Sequence, residues 1–545
     1  MKKGLTKLVA LLLAAMLLGA AAGCSTTTDE PSAGTEQPAN NNPANNNETS
    51  GGEPSVEPAN PDEIVSARDS MVVGLYSEPT DFFPSICGES ASAQLCVVFY
   101  EGLYELDKDG NAQPKLAESY EVSADGKTWT FKLKEGVKFH DGTEMTAEDV
   151  VYSLGLAQAG AKSSTYAGKI DVANSYAADK YTAVIQLTEP VATFLKNLCH
   201  YNCYISSKAW VEANPDDHNR IENGTGAFKL KEWSDGNYIL VERFDDYHER
   251  PAYLEEITFR FISESNSRIL ELETGGVDVI IDVPSDYISQ LEENPDITVY
   301  SRESTQIRYL CLNYLNPPYD NVKVREAIAH SVDMSLVTKT VFGSTAKTLV
   351  AYLPETIPGN IQYPAYEYNP ELAKQLLAEA GYPDGLHIVV NFFTNAENRR
   401  MAEIMQNMMA EAGIEMEILE MDGAVNTPYL NAGKHEGALL MQTSSLQDCL
   451  ENLQKFHSSK ILEGGNRVNF QNAEVDELLA KAQATFDEAE RIEICKQIQD
   501  ICYENCAWVP ICTPLLVNAA NSKLMGYDLI WAATQQRYDD CYFVE

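Results

Sequence analysis

Residues Leu116–Leu154 read LAESYEVSADGKTWTFKLKEGVKFHDGTEMTAEDVVYSL. Within them Trp129, Phe131 and Leu133 alternate with Thr130, Lys132 and Lys134, which predicts a strand with one buried and one wet face. Asp125-Gly126 and Asp141-Gly142 place turns on either side. Thr146 precedes Ala147, Glu148 and Asp149, a near capping box that predicts a helix start and carries Val150, Val151 and Leu154 toward a core. Taken alone, the pattern gives a strand, a turn and a helix.

The wording and order of the whole block go further, because they resemble the family 5 solute-binding proteins of ABC transporters, the group of oligopeptide, dipeptide and nickel receptors. Further segments resemble the family in its order: Gly224–Tyr247 (GTGAFKLKEWSDGNYILVERFDDY), Glu271–Pro284 (ELETGGVDVIIDVP), Tyr309–Met334, Tyr368–Tyr382 (YNPELAKQLLAEAGY) and Val468–Ile511. Asn321 and Pro370 predict helix starts, and Gly275 and Gly381 predict helix ends. The resemblance implies an α/β fold of the periplasmic-binding-protein-like type II. Two lobes enclose a ligand cleft, with an extra subdomain in the first lobe. Lobe one is expected at 67–98, 213–311 and 505–545, the subdomain at 99–212, and lobe two at 312–504, so that the chain crosses the hinge twice.

The N-terminus carries Lys2, Lys3 and Lys7 and then an uncharged run from Leu8 to Gly23, short for a membrane span and suited to a signal-peptide core over 1–23. Ala21-Ala22-Gly23-Cys24 looks like a bacterial lipobox, with Ala21 where Leu is usual, and makes Cys24 the expected lipidation site. Residues 24–66 hold almost no large apolar side chain and read as a disordered tether. The expectation is a monomer, lipid-anchored on the extracellular side of a cell membrane, with a Gram-positive surface favoured over a periplasm. A formal charge of −41 over 545 residues disfavours nucleic acid as a partner.

Beyond Cys24 there are eleven cysteines, an odd number without the spacing of a disulfide scaffold. Cys199/Cys203 and Cys502/Cys506 are four apart, compatible with one helix face, and His200 adjoins the first pair. Buried helical thiols explain both pairs better than a metal site. Eight scattered histidines form no ligand cluster, and neither a metal nor another cofactor is expected. Asp107–Asn111 superficially matches a calcium loop, but the downstream pattern is absent and a hairpin turn accounts for it.

For ligand contacts, the loop after the first strand borders the cleft in the family, which makes Glu78, Thr80, Ser85 and Cys87 candidates. Peptide-binding members carry, in lobe two, a strand ending in Gly-Trp followed by an acidic residue that pairs with the peptide amino group. Here the region reads LLMQTSSLQD from Leu439 to Asp448, and the Gly-Trp is missing. Asp448 is the candidate acidic anchor, while Thr443, Ser444 and Ser445 offer neutral hydrogen bonds. Arg399, or its neighbour Arg400, is a candidate for gripping a carboxylate.

Together these readings imply a receptor that captures a solute, foremost an oligopeptide or dipeptide, by lobe closure and hands it to an ABC permease. The alternatives are a nickel chelate, haem, glycan or opine as cargo, or a surface peptide sensor. A hydrolase is disfavoured, because Gly88-Glu89-Ser90-Ala91-Ser92 lacks the second glycine of a nucleophile elbow.

Overall fold

A computed structural model describes residues 64–545 apart from 216, 218, 533 and 534. The expected signal peptide, Cys24 and the tether as far as residue 63 lie outside the described residues.

The body is organised by one large mixed sheet that both lobes share. In lobe one the strand Ser70–Leu75 pairs in parallel with Glu256–Phe261 and Val279–Ile280, and Tyr238–Arg243 and Phe228–Ser234 extend it antiparallel. In lobe two Gln306–Leu312 runs antiparallel to Gly437–Thr443, which is followed in parallel by Leu386–Phe393 and then Ile414–Met421. The long strand Val509–Asn521 belongs to both. Its first half pairs with Gln306–Leu312 and Ala346–Thr348, its second half with Ile297–Glu303 and Val279–Ile280.

That handover locates the hinge. Ser304 and Thr305 separate the two strands on one crossing, and Pro514, which has no N–H to give to a ladder, stands where the other crossing changes partners. The crossings therefore fall outside the 312–504 stretch expected for lobe two, because Gln306–Leu312 and residues 509–513 pair with lobe-two strands. The Ser304 hydroxyl donates to the Pro514 carbonyl at 2.5 Å, tying the crossings together.

The extra subdomain has its own core under a four-stranded antiparallel sheet ordered Ala117–Val122, Thr128–Leu133, Thr182–Gln186, Tyr176–Asp179. Trp129, Phe131 and Leu133 are buried, as the alternation predicts. Gly126 and Gly142 take φ of 70° and 84°, a region that suits glycine in the flanking turns. Thr146 donates from both its N–H and its hydroxyl to the Asp149 carboxylate, at 2.9 and 2.8 Å, and starts the helix Ala147–Ala159. Asp107 caps a hairpin turn by accepting from the Asp109 and Asn111 amides at 2.9 Å each.

All eleven described cysteines are buried and free. The four-residue pairs do not share a helix, however. Cys199 follows a short helix and Cys203 ends a 3₁₀ turn, while Cys506 lies beyond the helix Glu488–Glu504 with φ 43°.

Candidate functional site

The cleft forms where the extra subdomain and the C-terminal segment of lobe one face the loop 444–448 of lobe two. That loop continues the strand Gly437–Thr443, and the short helix Cys449–Leu453 follows it. The lobes are shut. The Tyr166 hydroxyl approaches Glu451 at 3.4 Å, the Gln535 side chain donates to the Ser445 carbonyl at 3.3 Å, and the Ala192 amide donates to the Gln483 carbonyl at 2.8 Å. Between the walls remains a cavity of about 90 Å³, lined by Tyr166, Thr193 and Asn197 on one side and Asp448, Glu451 and Gln483 on the other. A wider chamber of about 460 Å³ lies toward the hinge among Lys108, Arg302, Thr356, Gln447 and Trp531. A groove of about 240 Å³ near Met334, Tyr366 and Tyr503 lies within lobe two and takes no residue from lobe one, so it is not part of the cleft.

Glu451 dominates the lobe-two wall. Its carboxylate accepts from the Ser444 hydroxyl at 2.5 Å and from the Ser445 and Leu446 amides at 3.1 Å each. Burial raises its pKa, and these bonds together with the Lys455 charge only partly offset that. Lys455 itself is pushed down to about 8, first by burial and then by the repulsion of Arg467, with Glu451 opposing. Across the cavity Tyr166 stacks on His200, with ring centres 3.7 Å apart. Burial holds the His200 pKa at about 3, so this imidazole is neutral; its Nδ1 accepts from the Asn202 amide at 3.2 Å. The lobe-one wall thus joins this uncharged aromatic pair to Lys169, whose ammonium pairs with Glu189 at 2.7 Å, and it faces an acidic wall.

A family model for bacterial extracellular solute-binding proteins, family 5 (middle region), matches residues 111–461. The chain is a family 5 extracellular solute-binding protein. It is similar to the glutathione-binding protein GsiB of Escherichia coli K12, at 29% identity over 472 residues, covering 85% of this chain and 92% of GsiB. Among solved structures it resembles the ABC transporter-associated periplasmic binding protein DppA of Helicobacter pylori in complex with the peptide STSA. The TM-score is 0.77 at 26% identity, over 87% of this chain and 98% of that one. It also resembles AgaA of A. tumefaciens R10 in complex with agropinic acid, with a TM-score of 0.76 at 26% identity, over 87% and 99%. The family 5 protein is accordingly a solute-binding receptor for ABC import with the type II α/β fold, and not an enzyme.

Within this receptor the residues singled out by sequence are unevenly placed. Asp448 lines the cavity, but it is 4% exposed, accepts from the Leu450 amide at 2.8 Å as a helix cap, and faces the Arg491 guanidinium at 3.8 Å. Ser444 and Ser445 meet Glu451, whereas Thr443 is exposed at the strand end. Glu78 is occupied by the Trp233 indole N–H at 2.9 Å and the Gly236 amide at 3.1 Å. Thr80 is exposed and its amide donates to Glu89 at 2.7 Å. Ser85 and Cys87 are buried, their carbonyls taken by the Ser163 hydroxyl and the Asn202 amide group. Arg399 lies on the surface in a forked pair with Glu420, at 2.7 and 2.9 Å, while Arg400 beside it is exposed without an ion pair among the described residues. Sequence reasoning passed over Glu451 and Tyr166. The available signal was an acid three residues beyond Asp448, one helical turn on.

Proposed function

We propose that this receptor captures a short peptide bearing a free ammonium group and delivers it to an ABC permease for import, working as a monomer held at the extracellular face of the membrane by a lipid on Cys24. The observation that carries the reading is Glu451, a desolvated carboxylate on the lobe-two wall of a cavity whose opposite wall presents the uncharged Tyr166 and, as its one cation, Lys169, already paired with Glu189 at 2.7 Å. A buried carboxylate of this kind gains most from a cation that completes its coordination, and an ammonium group with three donors is suited to it. The names of GsiB, a glutathione-binding protein, and of DppA, in complex with the peptide STSA, support a short peptide as cargo. At about 90 Å³ the shut cavity is well below the ~300 Å³ typical of small-molecule sites, so a peptide enters only as the walls part. Because the ligand touches both lobes it stabilises the closed form over the open one, and that difference is the capture.

A non-peptide cargo is the second reading, favoured by Arg399. Its guanidinium is already neutralised by Glu420, which leaves the receptor fewer free cations for a peptide carboxylate. Thermal shifts of the folded body, residues 64–545, against free-amine peptides, their N-acetylated forms, opines, haem and nickel chelates separate the two. Stabilisation by free-amine peptides alone supports the proposal; a response to a non-peptide with peptides silent overturns it.

A further inference from the structure

The chamber toward the hinge holds a cation that its surroundings fix but do not neutralise. Arg302 lies near the end of the lobe-one strand Ile297–Glu303, just before the Ser304 crossing, and is half-buried. Its guanidinium donates to the Leu529 carbonyl at 3.0 Å and to the Lys108 carbonyl at 2.8 Å. These two neutral carbonyls set its orientation and leave its charge unpaired among the described residues, with N–H donors to spare. Of the two acids that line the chamber, Glu303 is paired with Lys347, and Asp109 shares the exposed hairpin tip with Lys108. The Thr356 hydroxyl and the Trp531 indole N–H are spent inside the protein, on the Ser304 carbonyl at 3.3 Å and the Asp107 carbonyl at 3.5 Å. Gln447 joins this chamber to the smaller cavity. It lines the first, while its neighbours Leu446 and Asp448 line the second together with Glu451. A helix start separates Gln447 from Glu451, so their backbones stand within about 10 Å, the reach of a peptide of about three residues at ~3.5 Å each.

We propose that Arg302 receives the carboxylate of the ligand whose ammonium group Glu451 holds, so that the two charges of a short zwitterionic peptide are gripped from opposite lobes. The inference rests on the peptide reading of Glu451 and adds a second determinant of specificity to it. A guanidinium that is already oriented loses little freedom on pairing, and its free N–H groups suit the two oxygens of a carboxylate. Arg302 belongs to a strand of lobe one, and Glu451 to a helix of lobe two. A ligand carrying both charges therefore gains its full attraction only when the lobes are shut, and it favours the closed form more than either charge does alone. A peptide with one end capped keeps one grip and loses that coupling. The net charge of −41 acts against the preference, because it favours whichever ligand is more cationic. Selection of a free carboxylate is thus a local effect of the chamber.

Titration calorimetry of the protein with trialanine, trialanine amide and N-acetyl-trialanine tests this. Trialanine is expected to bind about tenfold to a hundredfold more tightly than its amide, the range of a charge-assisted hydrogen-bonded pair. In Arg302→Gln the preference should vanish through a loss for the acid alone, with the affinity for the amide unchanged. An amide that binds the wild type as well as the acid does, or a preference that survives in Arg302→Gln, overturns the proposal. Should Arg302→Gln fail to fold for want of its bonds to Leu529 and Lys108, Arg302→Lys keeps the charge and gives up the fork. A reduced preference in that variant supports the proposal, and an unchanged one overturns it. Acetylation that is costly while amidation is not overturns the carboxylate site and leaves the Glu451 reading intact; the reverse overturns the Glu451 reading and keeps the carboxylate site. Silence toward all three peptides overturns both.

Discussion

Glu451→Gln separates recognition from folding. In the ligand-free protein a glutamine is nearly isosteric: its Oε1 takes over the bonds from the Ser444 hydroxyl and the two amides, and its NH2 turns toward the Tyr166 oxygen. The fold is expected to change by no more than about 1 kcal/mol. The sign of its pH dependence is also fixed. Burial, the largest influence, raises the Glu451 pKa in the folded state, so the cost of ionising it is absent below the unfolded value and grows as pH rises through the folded one. The variant lacks that cost, and gains stability relative to wild type on going from acid to neutral pH. Binding goes the other way. Removing one member of a buried charge-assisted pair costs about 3 kcal/mol, roughly a hundredfold in Kd. Titration calorimetry of both proteins with a free-amine peptide and its N-acetylated form measures this directly. The loss should appear only for the free amine, and acetylation should cost the variant almost nothing. Equal affinity of both proteins for the free-amine peptide would refute the assignment of Glu451 as the ammonium partner.

Phe486 packs against Trp129 and sits over Gly126, a contact of lobe two with the extra subdomain across the shut cleft. Phe486→Ala should weaken the closed form by about 1–2 kcal/mol, seen as a larger ligand-free radius of gyration by small-angle scattering with little change in thermal stability; an unchanged radius would remove this contact from the closing balance. The His140 Nδ1–H donates to the Glu222 carboxylate at 2.5 Å, and although burial alone would lower its pKa, Glu222 outweighs that and raises it. Its contribution to stability is complete below the ordinary histidine value and is lost as pH rises through the raised one, so His140→Gln should flatten the stability profile across that window in a pH series of thermal melts. In the full chain, Cys24→Ser should move the protein from the detergent phase to the aqueous phase on Triton X-114 partitioning; retention in the detergent phase would count against the lipid anchor.

What was legible in the sequence is what short-range chemistry decides. The strand over Trp129–Leu133, the Thr146–Asp149 cap, and the helix starts at Asn321 and Pro370 depend on neighbours within a few residues, and all stand where the pattern puts them. The crossings were harder to place because the polar stretch Ser301–Gln306 between Ile297 and Leu312 carries no glycine or proline to mark a break. Only pairing with the distant strand Val509–Asn521 distinguishes the lobe to which each half belongs. The same holds at the cleft. Asp448 is the more conspicuous acid in the sequence and does line the cavity, but its position just before a helix commits its carboxylate to the cap, and the turn brings Glu451 to the cavity beside it. Arg399 is lost to the site through Glu420, a partner on another element.

Recognition and closure are joined in the loop 444–448. Its Ser444 carbonyl accepts from the hinge residue Thr305 at 2.5 Å, and its Ser444 amide donates back to the Thr305 carbonyl at 3.2 Å. Gln535 of lobe one holds the Ser445 carbonyl, and Glu451 gathers the Ser444 hydroxyl and the next two amides. Gln447 takes φ 46°, unusual for a residue with a side chain, and its amide group lies over Gly110 of the lobe-one hairpin, where even a Cβ would collide with it. The loop therefore touches the hinge, both lobes and the ligand cavity at once. A ligand that draws on Glu451 must shift the bonds that hold this loop, and the loop's bond to Thr305 passes that shift to the point about which the lobes rotate. On the proposed reading of Glu451 as the ligand's partner, closure is expected to follow from occupancy, because the same short loop lines the cavity and bonds to the hinge residue Thr305.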